Sequence, residues 1–425
     1  MAIQSKRLFE KAKQILVGGV NSPVRSFGAV GGHPLFIKKA AGAYLWDADN
    51  QKYVDLVCSW GTIILGHGYP TIAQAAARAI AKGTSYGACH QNEILLAQMI
   101  REAFPKTIER VRLVNSGTEA VMTALRIARA ATKRDLTVKF AGGYHGHHDS
   151  LLAAAGSGVL THGLPSSAGV PESWAKTTLV LPYNDEKAVF QTFAKLGRKI
   201  AAVIVEPLAC NMGVVPPEKS FLETLRCVTK KYGALLIFDE VITGFRLQWG
   251  GLSESYDPDL VCLGKIIGGG FPLAAVAGKK APMELLAPLG KVYHAGTLSG
   301  NPVAVAAGLA TLAALKKINP YARLEKMAQK IVRSAEETAG QKGIALTAPR
   351  QGSLFTLFFT AIPVKNYADA QKTDTRLFSK FFWNMVNSGI YWPPSNFEAC
   401  FLSNAHADKD AEKIANAVHR AIKSL

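Results

Sequence analysis

The chain has 425 residues, 48% of them hydrophobic, and a formal net charge of +18. That apolar content over this length suffices for a sizeable core, which excludes disorder as a global description, and no run of eighteen uncharged apolar residues marks a membrane span. Cys58, Cys89, Cys210, Cys227, Cys262 and Cys400 include no C-x-x-C pair, so they form neither a disulfide framework nor a zinc spacing and read as buried thiols of a cytoplasmic protein.

The N-terminal stretch MAIQSKRLFEKAKQIL alternates charged with apolar residues and lacks the apolar centre of a signal peptide. GAYLWDADNQKYVDL (42–56) alternates in strand fashion about Asp49 and Asn50, which predicts a hairpin in a small N-terminal domain. In RLVNSGTEAVMTALRIARAA (112–131), Ser116 with Glu119 three residues on is a capping-box pattern, and Val121, Leu125 and Ala128 follow a helical period. A helix therefore starts at Ser116. The stretch 145–171 is rich in glycine, serine and other small residues and reads as a lid over a pocket.

AAVIVEP (201–207) is a buried strand stopped by Pro207, FLETLRCVTKKYG (221–233) a helix ended by Gly233, and ALLIFDE (234–240) a second apolar strand. Strand, helix, strand in that order is a right-handed crossover, so the two strands run parallel. DLVCLGK (259–265) adds a third, ending at Lys265. KKINPYARLEKMAQKIVRS (316–334) sets charges between apolar residues at helical spacing, a solvated helix face. No aromatic residues interleave with a basic stripe, so the positive charge does not read as a nucleic-acid surface. GSLFTLFFT (352–360) is a further strand, followed by a helix and a short tail in a second small domain.

Ligands of open parallel sheets bind beyond the carboxyl ends of the strands, which brings Glu206, Asp239 and Lys265 near one pocket. Lys265 closes an apolar strand and precedes IIGGGFP (266–272), whose glycines allow close backbone approach. A lysine there loses hydration, and its free amine can then attack a carbonyl, although a lone strand-end lysine is more often a surface ammonium. Asp239 is a buried carboxylate that needs a cationic or hydrogen-bonding partner, and a protonated pyridine nitrogen is one; capping of the following helix is the plainer alternative. Glu240 points to the opposite face and reads as structural. The free amides of Gly117 and Thr118, with the Ser116 and Thr118 hydroxyls, suit a phosphate dianion at the helix start, and equally a plain capped helix. Tyr144 can stack on a pyridine ring. His145, His147, His148 and Asp149 lack the spacing of a metal site.

These residues lie in blocks similar to those of the class-III pyridoxal-phosphate aminotransferases: ILGHGYP (64–70), LVNSGTEA (113–120), YHGHHDSLL (144–152), FDEVITGFR (238–246), LGKIIGGGFP (263–272) and AGTLSGNP (295–302). GGVNSPVRSF (18–27) and SNFEACFLSNAH (395–406) are narrower and resemble the branch that moves an amino group within a single substrate. The resemblance implies an α/β fold of fold type I, with a large domain (66–311) built on a mostly parallel sheet covered by helices. Smaller α+β segments precede it (1–65) and follow it (312–425). It implies pyridoxal 5'-phosphate, passing through its pyridoxamine form, with Lys265 as Schiff-base lysine and catalytic residue and Asp239 as pyridinium partner. Tyr144 then stacks on the ring, His145 belongs to the cofactor site, Asn211 lies near the phenolic oxygen, and Ser116, Gly117 and Thr118 lie at the phosphate, joined by Thr297 of the partner subunit. Ser22, Arg25, Trp60, Ser157 and Glu398 match the substrate side, with Arg25 taking a carboxylate.

The implied reaction converts (S)-4-amino-5-oxopentanoate into 5-aminolevulinate for tetrapyrrole synthesis; transfer between a separate amino donor and a keto acid or aldehyde is the alternative. Implied partners are the small-molecule substrate, a second copy sharing the active sites, and glutamyl-tRNA reductase, with no nucleic acid, membrane or metal. The chain departs from the family at Ala141, where glutamate is common, at Thr62, where proline is usual, and at Cys89 and His90 near the expected pocket rim.

Overall fold

The computed structural model describes residues 3–154 and 164–425. Its centre is a seven-stranded sheet of β1 (Arg110–Val114), β2 (Leu136–Phe140), β3 (Thr178–Leu181), β4 (Ile200–Val205), β5 (Leu235–Glu240), β6 (Leu260–Leu263) and β7 (Ala274–Gly278), in the spatial order β1-β7-β6-β5-β4-β2-β3. Neighbours from β6 through β3 are parallel, and only β7 runs against its two neighbours. The apolar runs are continuous because the strands are covered on both faces. Ala202, Ile204, Ile237, Leu260 and Cys262 pack under Val121, Leu125 and Ala128 of the helix Gly117–Thr132. Val203, Val205, Leu236 and Phe238 pack under Phe221, Leu225 and Val228 of the helix Lys219–Tyr232. Gly233 ends that helix in the left-handed conformation.

The predicted hairpin forms from Tyr44–Asp47 and Lys52–Asp55, with Asn50 left-handed in the turn and Asp47 Oδ1 accepting from the amides of Asp49 and Gln51. Ile390–Tyr391 joins it from the far end of the chain, parallel to Lys52–Asp55. Phe27, Val54 and Leu56 share one core with the helices Tyr321–Lys342, Thr375–Asn387 and Asp408–Lys423, so the two terminal segments pack together.

Several local expectations change. The stretch 316–334 is two helices, broken at Asn319 and Pro320 because proline cannot continue the first. Within 352–360 only Leu354–Phe355 is a strand, and the short tail is the 16-residue helix Asp408–Lys423. Cys58, Cys210, Cys262 and Cys400 are buried, whereas Cys89 and Cys227 are exposed. β6 stops at Leu263, so Lys265 opens a short 3-10 helix (Lys265–Gly268) beyond the strand. Among the described residues no helix is long and apolar enough to cross a membrane.

The turn after Lys265 rests backbone to backbone on the helix Pro302–Ile318. A Cβ added at Gly308 would stand 2.2 Å from the carbonyl oxygen of Ile267, whereas one added at Gly340 meets nothing within 4 Å. Gly308→Ala is expected to lower stability by about 1–3 kcal/mol through overpacking. Gly340→Ala is expected to raise it by about 0.5–1 kcal/mol through helix propensity. Urea unfolding of the two variants checks the opposite signs.

Candidate active site

A cavity of about 350 Å³ opens beyond the carboxyl ends of β1, β4, β5 and β6. Lys265 reaches it from the turn after β6, with φ of 46°. A left-handed non-glycine backbone is costly and persists only where packing holds it. Burial pulls the Lys265 ammonium below the ordinary lysine pKa, and the neighbouring acidic groups, Asp239 and Glu206 foremost, oppose that pull. The result is an amine more readily neutral than a solvated one, held among carboxylates.

Asp239, at the end of β5, is 6% exposed. Its Oδ1 accepts from the amide of Val241 at 3.1 Å, and its Oδ2 lies 2.8 Å from Nδ1 of His145, itself buried. The sequence assigns His145 to the cofactor without a stated contact; in the fold its imidazole fixes the orientation of Asp239. Among the described residues no group of three His, Cys, Asp or Glu side chains could hold a metal ion. Glu240, one residue on, points away and accepts from the amides of Leu252 and Ser253 and the Thr243 hydroxyl.

Glu206, just past β4, is a member of the wall that composition and spacing leave without a role. Its Oε1 accepts from the Tyr144 amide at 3.0 Å, and its Oε2 from the Cys210 amide and the Asn211 side-chain amide, both at 2.9 Å. Burial still raises its pKa from the ordinary glutamate value. One carboxylate thus orients both Tyr144 and Asn211 at the cavity.

Ser116 caps the helix Gly117–Thr132, its Oγ accepting from the Glu119 amide at 3.2 Å. The predicted capping box is modified, since the Glu119 carboxylate returns to the amide of Asn115 at 2.7 Å and not to that of Ser116. Gly117 and Thr118, as first helical residues, have amides with no intrahelical acceptor, and both residues line the cavity. Gly146, at φ of +83°, lies so near that an added Cβ would meet Thr118 Oγ1 at 2.4 Å, so the loop carrying Tyr144 and His145 packs directly on the helix start.

The remaining predicted residues are dispersed. Glu398 is mostly buried, and burial raises its carboxyl to about 7 against the opposing charge of Lys265. Trp60 lies in a run of three left-handed residues, Cys58, Ser59 and Trp60, of which Ser59 lines the cavity together with Thr62. Ser22 precedes the short 3-10 helix Pro23–Ser26 that carries an exposed Arg25, and neither lines the cavity. Thr297 is exposed in a separate surface depression with Cys89 and His90. The His90 Nε2 bonds the Gly300 carbonyl there at 2.8 Å. Ala141 packs against Val180 and Ala153. Ser157, with most of the central part of the predicted lid, lies outside the described residues. Beyond Glu206, Val241 and Phe271 also line the wall, and only their proximity in sequence to Asp239 and to the glycines after Lys265 hinted at this.

Residues 27–418 match the model of the aminotransferase class-III family. The chain is 51% identical to a glutamate-1-semialdehyde 2,1-aminomutase from Sulfurihydrogenibium azorense, over 100% of this chain and 99% of that protein. It is 48% identical to one from Aquifex aeolicus, over 100% of both. A solved transaminase with PLP bound superimposes with a TM-score of 0.90 and 27% identity, covering 100% of this chain and 98% of the other.

Because the folded Glu398 carboxyl is raised from 4.5 to about 7, the folded state holds a proton that the unfolded state releases between those values. Its contribution to stability is therefore fully present below about 4.5 and lost as pH rises through about 7. Urea unfolding of wild type and Glu398→Gln across pH 4 to 8 is expected to show wild type losing stability relative to the variant over that window and no further above it.

Proposed function

The chain belongs to the class-III aminotransferase family, of fold type I, and on that premise we propose that it moves an amino group within one molecule, converting (S)-4-amino-5-oxopentanoate (glutamate 1-semialdehyde) into 5-aminolevulinate. The convergence of Lys265, Asp239 and the start of the helix Gly117–Thr132 on one cavity carries the reading. Full-length identity near one half to relatives named for that conversion supports the choice of substrate.

The donor set fits pyridoxal 5'-phosphate. Two amides without intrahelical acceptors and the Ser116 and Thr118 hydroxyls suit a phosphate, a buried carboxylate suits a protonated ring nitrogen, and a desolvated amine suits an aldehyde. When bound, the cofactor supplies the electron sink that lets a carbon next to nitrogen lose a proton. Ser116, Gly117 and Thr118 would hold its phosphate, with Thr297 of the partner subunit. Asp239, oriented by His145, would hold the ring nitrogen; Asn211 would stand near the phenolic oxygen and Tyr144 at the ring face.

Lys265 Nζ would anchor the cofactor and, once released, would carry a proton between the substrate carbon and the cofactor carbon in each half of the reaction, first as base and then as acid. Burial favours its neutral form, which is the form able to accept. Arg25 pairs with the substrate carboxylate, and Ser22, Trp60, Ser157 and Glu398 complete the substrate side. The segment 145–171 would exclude water and retain the substrate at the cavity. The working assembly is a cytoplasmic homodimer with shared sites, organised as segments 1–65, 66–311 and 312–425 and receiving its unstable aldehyde by contact with glutamyl-tRNA reductase.

Purified chain loaded with cofactor is expected to form 5-aminolevulinate from the semialdehyde with no added keto acid or amino donor. Lys265→Ala should lower the rate by at least about a hundredfold. Turnover that requires an added keto acid overturns the intramolecular reaction. Sedimentation is expected to give about twice the 45.5 kDa chain mass, and a monomer at assay concentration counts against shared sites.

A further inference from the structure

Arg246 is among the largest wholly buried side chains of the molecule. It forms no ion pair with an acidic residue among the described residues, where a buried cation ordinarily requires one. Its titratable neighbours are instead Cys58, Cys210 and Tyr321, and burial pushes the guanidinium down to about 10. What it does have is two backbone carbonyls. One guanidinium nitrogen donates to Leu402 O at 2.8 Å and the other to Gly61 O, with the plane over the Phe401 ring at 5.5 Å. Its Nε finds no partner.

Those carbonyls belong to two segments from distant parts of the chain, each of which carries a residue that bears on Lys265 or its cavity. The first, 58–62, contributes Ser59 and Thr62 to the cavity wall and holds three successive left-handed residues, a conformation that must be imposed from outside. Its start is imposed by Asp55 Oδ1, which accepts from the amides of Val57 and Cys58. Its end is held by Arg246 at Gly61. The second, 398–402, begins with Glu398, whose charge acts on Lys265. The segments touch directly: the Cys58 thiol donates to Phe401 O at 3.3 Å, and a Cβ on Gly61 would meet the Phe401 ring at 2.6 Å. Arg246 itself lies in the loop that leads from β5 to the helix Ser253–Tyr256, so it ties both segments to the strand that presents Asp239.

We infer that Arg246 is a positioning residue for the reaction, a buried fork that holds the 58–62 and 398–402 segments against each other and against the Asp239 loop so that Ser59, Thr62 and Glu398 face Lys265. Fork geometry explains why the cation is an arginine: two separate carbonyls need two donors on one rigid plane, which an ammonium cannot supply. The kinetic part of the inference rests on the reaction proposed above; the structural part does not.

Hydrogen exchange of the cofactor-loaded chain tests it on Arg246→Met, which keeps bulk without donors, and Arg246→Lys, which keeps charge with a single donor point. Both variants are expected to speed exchange on the order of tenfold in peptides covering 58–63 and 399–402, Lys less than Met, while the helix Thr375–Asn387 stays as in wild type. KM for the semialdehyde is expected to rise on the order of tenfold, with kcat changing less. Unchanged exchange in either segment of a folded variant overturns the inference, as does loosening of both with unchanged kinetics. If Arg246→Met does not fold, Arg246→Lys decides alone, and its unfolding as a whole also overturns the inference, because Arg246 then braces the fold and not the site. Wild type that fails to convert the semialdehyde sinks the proposed reaction, and the exchange result then decides the role of Arg246.

Discussion

Three ionisable side chains withdrawn from water at one cavity, Lys265, Asp239 and Glu206, each require a partner, and most of the surrounding architecture answers that requirement. An unpaired buried charge costs several kcal/mol, which a domain of ordinary stability cannot absorb three times over. Asp239 is satisfied by His145 and the Val241 amide, and Glu206 by two amides and the Asn211 side chain. Lys265 keeps the conflict. Desolvation lowers its pKa while the two carboxylates resist, and the net effect is downward.

The parallel sheet makes this clustering possible. β4, β5 and β6 run side by side in one direction, so the residues after them emerge at one edge although dozens of positions separate them in sequence. The reversed strand β7 returns the chain between β6 and β1, which sets the start of the helix Gly117–Thr132 at the same edge. Glycines then let backbones meet where side chains would not fit, Gly146 against Thr118 and Gly308 against the turn after Lys265. The site is therefore held by packing on both faces of the sheet, and its loops inherit the rigidity of the strands they follow.

The terminal segments serve the same edge. Residues 56–61 and 401–402 meet at Phe401 and Arg246, and the first of these segments leads into the cavity wall at Ser59 and Thr62. Arg25 and Thr297, which the family resemblance assigns to substrate and phosphate, stand outside the cavity of a single chain. Ile15 and Val17, a few residues before Arg25, are exposed apolar groups.

Periodicity and punctuation were enough to read the three parallel strands, the helix start at Ser116, the hairpin about Asn50 and the candidacy of Lys265 and Asp239, because each is a local property: an apolar run, a cap, a turn residue, a charge at the end of a strand. Partnerships were not legible. That His145 orients Asp239, that Glu206 holds Tyr144 and Asn211, that Glu119 bonds Asn115, and that Arg246 joins two ends of the chain depend on side chains far apart in sequence or on the exact angle at which neighbours meet. The short strands Leu354–Phe355 and Ile390–Tyr391 escaped for the same reason, since two residues carry no period and become strands only through the ladders that receive them. Local chemistry determined which residues could act, and three-dimensional packing, which sets distances and removes water, decided which of them do so together.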